Sequence, residues 1–202
     1  MKPETQEKLK TIKRSFRLLM NGETSRSMRE SGVNYHLNWG VPLTDLRNMA
    51  AEYGEDAELA IELWKENIRE CKILATIIMP QEEMTPQLAD LWMEQTDTQE
   101  IAEQLALNVL HKTDFAPLIA FEWIAGDKPL PQICGFHIIS RRLTMGDIPD
   151  DRGINEIIDQ ALTAMAGNNV SVSHAAYNCL NRLAQVGDDY ERMVQAALKS
   201  FL

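Results

Sequence analysis

The chain has 202 residues, 45% of them hydrophobic and 25% charged, which excludes a disordered polypeptide and predicts a single helical-repeat domain over residues 1–202. Its 30 acidic against 20 basic residues leave a net charge of -10, which weighs against non-specific attachment to nucleic acid; a duplex binder of this composition needs its Lys and Arg clustered locally. Apolar runs are all shorter than the ~20 residues that cross a bilayer, and Met1-Lys2-Pro3-Glu4-Thr5 runs into a charged helix with no signal-like core, so no membrane partner and a cytoplasmic location are expected.

In chain order, residues 4–20 set Leu9, Ile12, Phe16, Leu19 and Met20 at helical spacing among Lys8, Lys10, Lys13, Arg14 and Arg17. That pattern predicts an amphipathic helix with one basic face, ended by Asn21-Gly22. Residues 23–39 read as a short helix and a loop, after which Pro42 suits the first turn of a helix that Gly54 closes. Asp56 is placed to cap a helix through Trp64, and Asn67 to cap one reaching Met79, where Pro80 blocks continuation. Thr85-Pro86 begins the next helix. Asp97 followed three residues later by Glu100 resembles a capping box ahead of Ile101, Leu105, Leu107 and Leu110.

Further along, Asp114 opens a helix that Gly126 closes, and Pro129 and Pro131 lead into Ile133, Phe136, Ile138, Ile139 and Leu143. Helices over 155–165, 170–183 and 190–202 complete the set. The apolar helices starting near 67, 98, 131 and 170 follow one another at about 31 to 40 residues, the spacing of the second helix in a two-helix repeat. The expected fold class is therefore all-α, an α-solenoid of antiparallel helix pairs of the HEAT/ARM kind.

Chemistry is sparse in this pattern. Cys71, Cys134 and Cys179 are far apart and form no CxxC pair, which predicts reduced core thiols. His36, His111, His137 and His174 show no metal-ligand spacing, and phosphate-binding, dinucleotide-binding and serine-hydrolase motifs are missing, so neither a metal nor another cofactor is expected. Glu82-Glu83, Glu94, Asp97, Glu100 and Glu103 form an acidic cluster that reads either as a solvated helix start or as carboxylates facing a groove. Trp64, Trp92 and Trp123 sit in apolar helices and are expected in the core, while Trp39, beside Gly40, is the aromatic expected at the surface. The cations placed to meet phosphate are those of the first helix, Arg69 and Lys72, and Arg141-Arg142.

Gly40-Val41-Pro42-Leu43-Thr44-Asp45-Leu46-Arg47, then Leu63-Trp64, then Glu70-Cys71-Lys72-Ile73-Leu74-Ala75, resemble segments of the DNA-alkylation-repair family of HEAT-like repeat DNA glycosylases. With the helix order, the resemblance covers most of residues 10–200. It implies a concave basic surface that holds duplex DNA around a cationic alkylated base. It also implies excision assisted by a Trp and an Asp one helical turn apart, an Arg and a second Trp. A carboxylate there would stabilise positive charge developing on the sugar, and aromatic faces attract cations.

Set against that pattern, the Trp/Asp segment falls on Gln99-Glu100-Ile101-Ala102-Glu103, so that Glu103 replaces the acid and Gln99 stands where an aromatic is expected. The arginine position falls near Cys134-Gly135, with no cation until Arg141, and the last aromatic position near Asn178, beside Tyr177. The resemblance thus implies a divergent member: a duplex-DNA binder through Arg69, Lys72, Arg141 and Arg142, with Glu103 as the candidate catalytic acid of a doubtful alkylpurine glycosylase activity. The acidic balance leaves open a different reading, a non-catalytic helical-repeat scaffold for a protein or peptide partner.

Overall fold

The computed structural model describes residues 2–33 and 35–201; Met1, Asn34 and Leu202, the last residue of the final predicted helix, lie outside that range. Twelve α-helices and two single-turn 3-10 segments occur among the described residues, with no strand, so the fold is all-α and HEAT-like, as the repeat spacing predicts. None of the described helices is long and apolar enough to cross a membrane. The chain divides into two compact units, residues 1–109 and 110–202.

The first unit contains α1 (Pro3–Leu19), α2 (Gly22–Glu30), α3 (Leu43–Tyr53), α4 (Ala57–Lys65), α5 (Arg69–Ile78), α6 (Pro86–Glu94) and α7 (Gln99–Asn108). In α1 the inward stripe is Thr5, Leu9, Ile12 and Phe16, and it packs on α4. Lys8 reaches Asp56 at the start of α4 (3.0 Å) and Lys13 reaches Glu66 at its end (2.8 Å), so α1 and α4 run in the same direction. Asp56 caps α4 as its position predicts, accepting from the Leu59 amide at 3.0 Å, and Thr85 caps α6 from one residue before Pro86.

Two predicted caps shift. The helix expected to start under Asn67 begins at Arg69, because the Arg69 amide donates to the Leu37 carbonyl (3.0 Å) and Ile68 forms a lone parallel bridge with Leu37. In α7 the capping oxygen belongs to Thr98, which accepts from the Ile101 amide, and Asp97 stays outside the helix. Helix α5 is the centre of this unit, contacted by α3, α4 and α7. Every residue of it except Ile77 is buried, including Arg69, Glu70, Lys72 and Thr76. A helix buried on all sides must satisfy its polar groups internally, and α5 does so.

The second unit contains α8 (Ala116–Ala125), α9 (Pro129–Thr144), α10 (Asp151–Ala166), α11 (Val170–Ala184) and α12 (Asp188–Phe201). Helix α9 packs between α8 and α11, with α10 and α12 against α11. Gly135 permits the α8–α9 approach: a Cβ there would stand 2.7 Å from Ile124 Cγ2 and 2.9 Å from the Ala120 carbonyl. Helix α10 starts four residues before its predicted start because Asp150 caps it through the Gly153 amide (2.8 Å). Trp64, Trp92 and Trp123 are all buried, and Trp64 and Trp92 stack with their ring centroids 4.2 Å apart. The three cysteines are buried thiols without a disulfide; burial pushes Cys179 up to about 12 and Cys71 well above the ordinary thiol range.

Candidate nucleic-acid interface

Between α2 and α3, residues 35–41 form a strap that is pinned from two sides. From α2, Ser25 Oγ donates to the Asn38 carbonyl (2.9 Å), and the Asn21 amide donates to the Trp39 carbonyl (2.9 Å). From α5, the fully buried Glu70 carboxylate accepts the amides of Trp39 (3.1 Å) and Val41 (3.2 Å), while Arg69 Nη1 donates to the Val41 carbonyl (3.1 Å). Gly40 makes the turn with φ +70, and a Cβ on it would stand 2.2 Å from the Asn21 carbonyl oxygen. The Gly-Val-Pro entry segment is therefore a structural clasp.

Where the strap crosses the start of α5 and α7 there is a cleft of about 210 Å3, lined by Tyr35, His36, Asn67, Arg69, Lys72, Asp97, Thr98 and Ile101. Arg69 forks onto Glu100, with Nη2 2.6 Å from Oε1 and Nε 2.8 Å from Oε2. The Tyr35 hydroxyl donates to the same carboxylate and accepts from Thr98 Oγ1. Burial, and then that bond to Glu100, push the Tyr35 phenol well above its ordinary value. Lys72 donates to the Gln95 carbonyl at the end of α6 and lies 4.7 Å from the Trp64 ring centroid. Burial holds its ammonium below the usual lysine range, against the pull of Asp97.

Glu103 is half-buried on α7, and Gln99, one turn earlier, donates its side-chain amide to that carboxylate at 2.7 Å. In the second unit Arg141 is exposed near the end of α9, whereas its neighbour Arg142 is drawn back. Arg142 pairs with Asp147 and donates to the carbonyls of His111 (3.1 Å) and Thr113 (3.3 Å), around the 3-10 turn Leu110–Lys112. The ends of α9 and α11 share a groove of about 350 Å3 that includes Thr144, Arg182 and Gln185. Along α11 the exposed positions after Val170 are His174, Tyr177, Asn178 and Arg182, and the Asn178 amide lies 3.4 Å from both His174 ring nitrogens.

The sequence profile of the family described as DNA alkylation repair enzyme matches residues 12–199. The chain belongs to that family. A solved structure described as "a new family of proteins related to the HEAT-like repeat DNA glycosylases with affinity for branched DNA structures" superposes on this DNA-alkylation-repair family member with a TM-score of 0.84. The two are 19% identical, over 96% of this chain and 83% of the other. No curated protein matches the sequence.

In this family member Arg69 and Lys72 do share one cleft, but they are only 4% and 8% exposed, because Glu100, Glu70 and the Gln95 carbonyl hold their charged ends inside. Arg141 and Arg142, adjacent in sequence, serve different surroundings. Trp39 is half-buried, with the Arg17 guanidinium 5.7 Å over its ring. Nothing in the sequence pattern singles out Tyr35, and Glu70 stands there only as the first residue of a family-like segment, with no role attached. Their indirect signal was the all-round apolar character of α5, in which a charged residue needs a carboxylate, a carbonyl or an aromatic face close by.

Proposed function

We propose that this chain is a cytoplasmic DNA-binding member of its family in which alkylpurine excision is weak or absent. The observation that carries the second half is Gln99 donating to Glu103 at 2.7 Å. An amide on the carboxylate stands in for the aromatic wall that would attract a cationic base, and it weakens the field a carboxylate would exert on a charged sugar. DNA binding is supported by family membership and by the branched-DNA affinity ascribed to the structurally similar family. The lack of a disulfide among Cys71, Cys134 and Cys179 fits a reducing compartment.

The contacts proposed are Arg141 and Arg182 to phosphate and Tyr177, 43% exposed, to a base or sugar face. Arg69, Lys72 and Arg142 act from behind, holding the local fold. Any residual excision is assigned to Glu103. The test is binding of the purified chain to undamaged duplex, to a duplex carrying a cationic base analogue and to branched DNA, over a salt series, with excision assayed in parallel for Glu103→Gln. Salt-sensitive binding supports the proposal. No binding at low salt refutes it in favour of a protein-binding scaffold, and lesion excision at an ordinary glycosylase rate overturns its second half.

A further inference from the structure

The outward side of α1 is not used by any contact described above. Opposite its buried Leu9, Ile12 and Phe16, the exposed residues Lys10, Arg14 and Leu18 follow at four-residue steps, about 6 Å apart along the axis. Lys8 and Lys13 are neutralised by Asp56 and Glu66, but Lys10 and Arg14 have no acidic partner among the described residues. The Arg17 guanidinium over Trp39 adds a third cation beside them.

This cationic stripe ends in apolar surface. Leu18 is 86% exposed, Leu19 37% and Met20 57%, at the point where the helix stops and Met20 turns extended. Single exposed apolar side chains are ordinary, but three in succession at the tip of a basic stripe fit a partner with a negatively charged backbone and a bare flat apolar face. A DNA branch point has both, in the phosphates of an arm and the unstacked face of its terminal base pair. A continuous duplex has only the first.

Resting on the DNA-binding reading above, we infer that the Leu18–Met20 tip is an apolar wedge that covers the exposed base-pair face at a DNA branch. Lys10 and Arg14 hold the phosphates of the adjoining arm. Apolar side chains placed against base steps are an established way of recognising deformed DNA, and cations nearby fix the register.

The experiment compares a three-way junction with a linear duplex of the same arm sequence, for the wild-type chain, Leu18→Ala/Met20→Ala and the control Leu118→Ala, whose side chain is 74% exposed on α8. The expected result is a wild-type preference for the junction that the double variant loses by about tenfold, with affinity for linear duplex unchanged and the control like wild type. A double variant that keeps the wild-type preference, or that loses affinity equally for both DNAs, overturns the wedge and leaves DNA binding standing. A wild-type chain that binds both equally does the same, and one that binds neither overturns the DNA-binding reading as well.

Discussion

Arg69 and Glu100, 31 residues apart on α5 and α7, meet as a two-pronged ion pair, with Nη2 2.6 Å from Oε1 and Nε 2.8 Å from Oε2. Their separation is one helical repeat, so the pair fixes the register of one repeat against the next. Because Glu70 is wholly buried and also touches Arg69, removing the guanidinium leaves two carboxylates short of a partner. Arg69→Ala is expected to lower stability by about 3 kcal/mol or more in urea unfolding, and Arg69→Lys to recover only part of it, since one ammonium cannot make the fork. A near-neutral Arg69→Ala would show that the pair contributes no net stability.

Gly40 is expected to tolerate no side chain. Its φ of +70 and the 2.2 Å approach of a Cβ to the Asn21 carbonyl oxygen predict that Gly40→Ala costs at least about 2 kcal/mol, read as a fall in thermal midpoint. Gly22, with nothing within 4 Å of its Cβ position, supplies the contrast: Gly22→Ala on α2 should be neutral or stabilising by up to about 1 kcal/mol.

The helices themselves were legible because their starts and stops are chemical: Asp56 and Thr85 at the starts of α4 and α6, and Gly54 and Pro80 at the ends of α3 and α5, each act locally, within about one turn. What was not legible depends on partners far along the chain. Asn67 had the right chemistry to cap α5, yet the strap residue Leu37, 30 residues earlier, takes the Arg69 amide. Asp97 lost the cap to Thr98, and Glu100, its expected box partner, is engaged by Arg69 and Tyr35. Arg69 and Lys72 read as surface cations by residue type alone. Their neighbours Cys71, Ile73, Leu74, Ala75 and Ile78 spread round the whole helix, which is the pattern of an element with no wet side.

Lys72 gives a pH dependence. The folded chain binds its proton less tightly than the unfolded chain, whose value is the ordinary 10.5. The penalty is thus complete below the folded value and disappears as pH rises from there to the unfolded value. As pH rises toward the unfolded value of 10.5 the wild-type chain should gain stability relative to Lys72→Met, which lacks this titration. A constant difference over that rise would mean that the Trp64 face and the Gln95 carbonyl offset burial completely.

Arg141 and Arg142 test the division between contact and support in adjacent residues. Arg141 is exposed, so if it meets phosphate, Arg141→Ala should reduce the slope of log affinity against log salt by about 0.9 and leave the thermal midpoint unchanged. Arg142 holds Asp147 and two carbonyls around the 3-10 turn, so Arg142→Ala should cost about 2 kcal/mol of stability and leave the salt slope intact. Each variant has its own readout, and the two should not trade places: a stability loss without a slope change in Arg141→Ala would remove α9 from the DNA-contacting surface. A slope change in Arg142→Ala at full stability would mean that its guanidinium leaves Asp147 for phosphate when DNA binds.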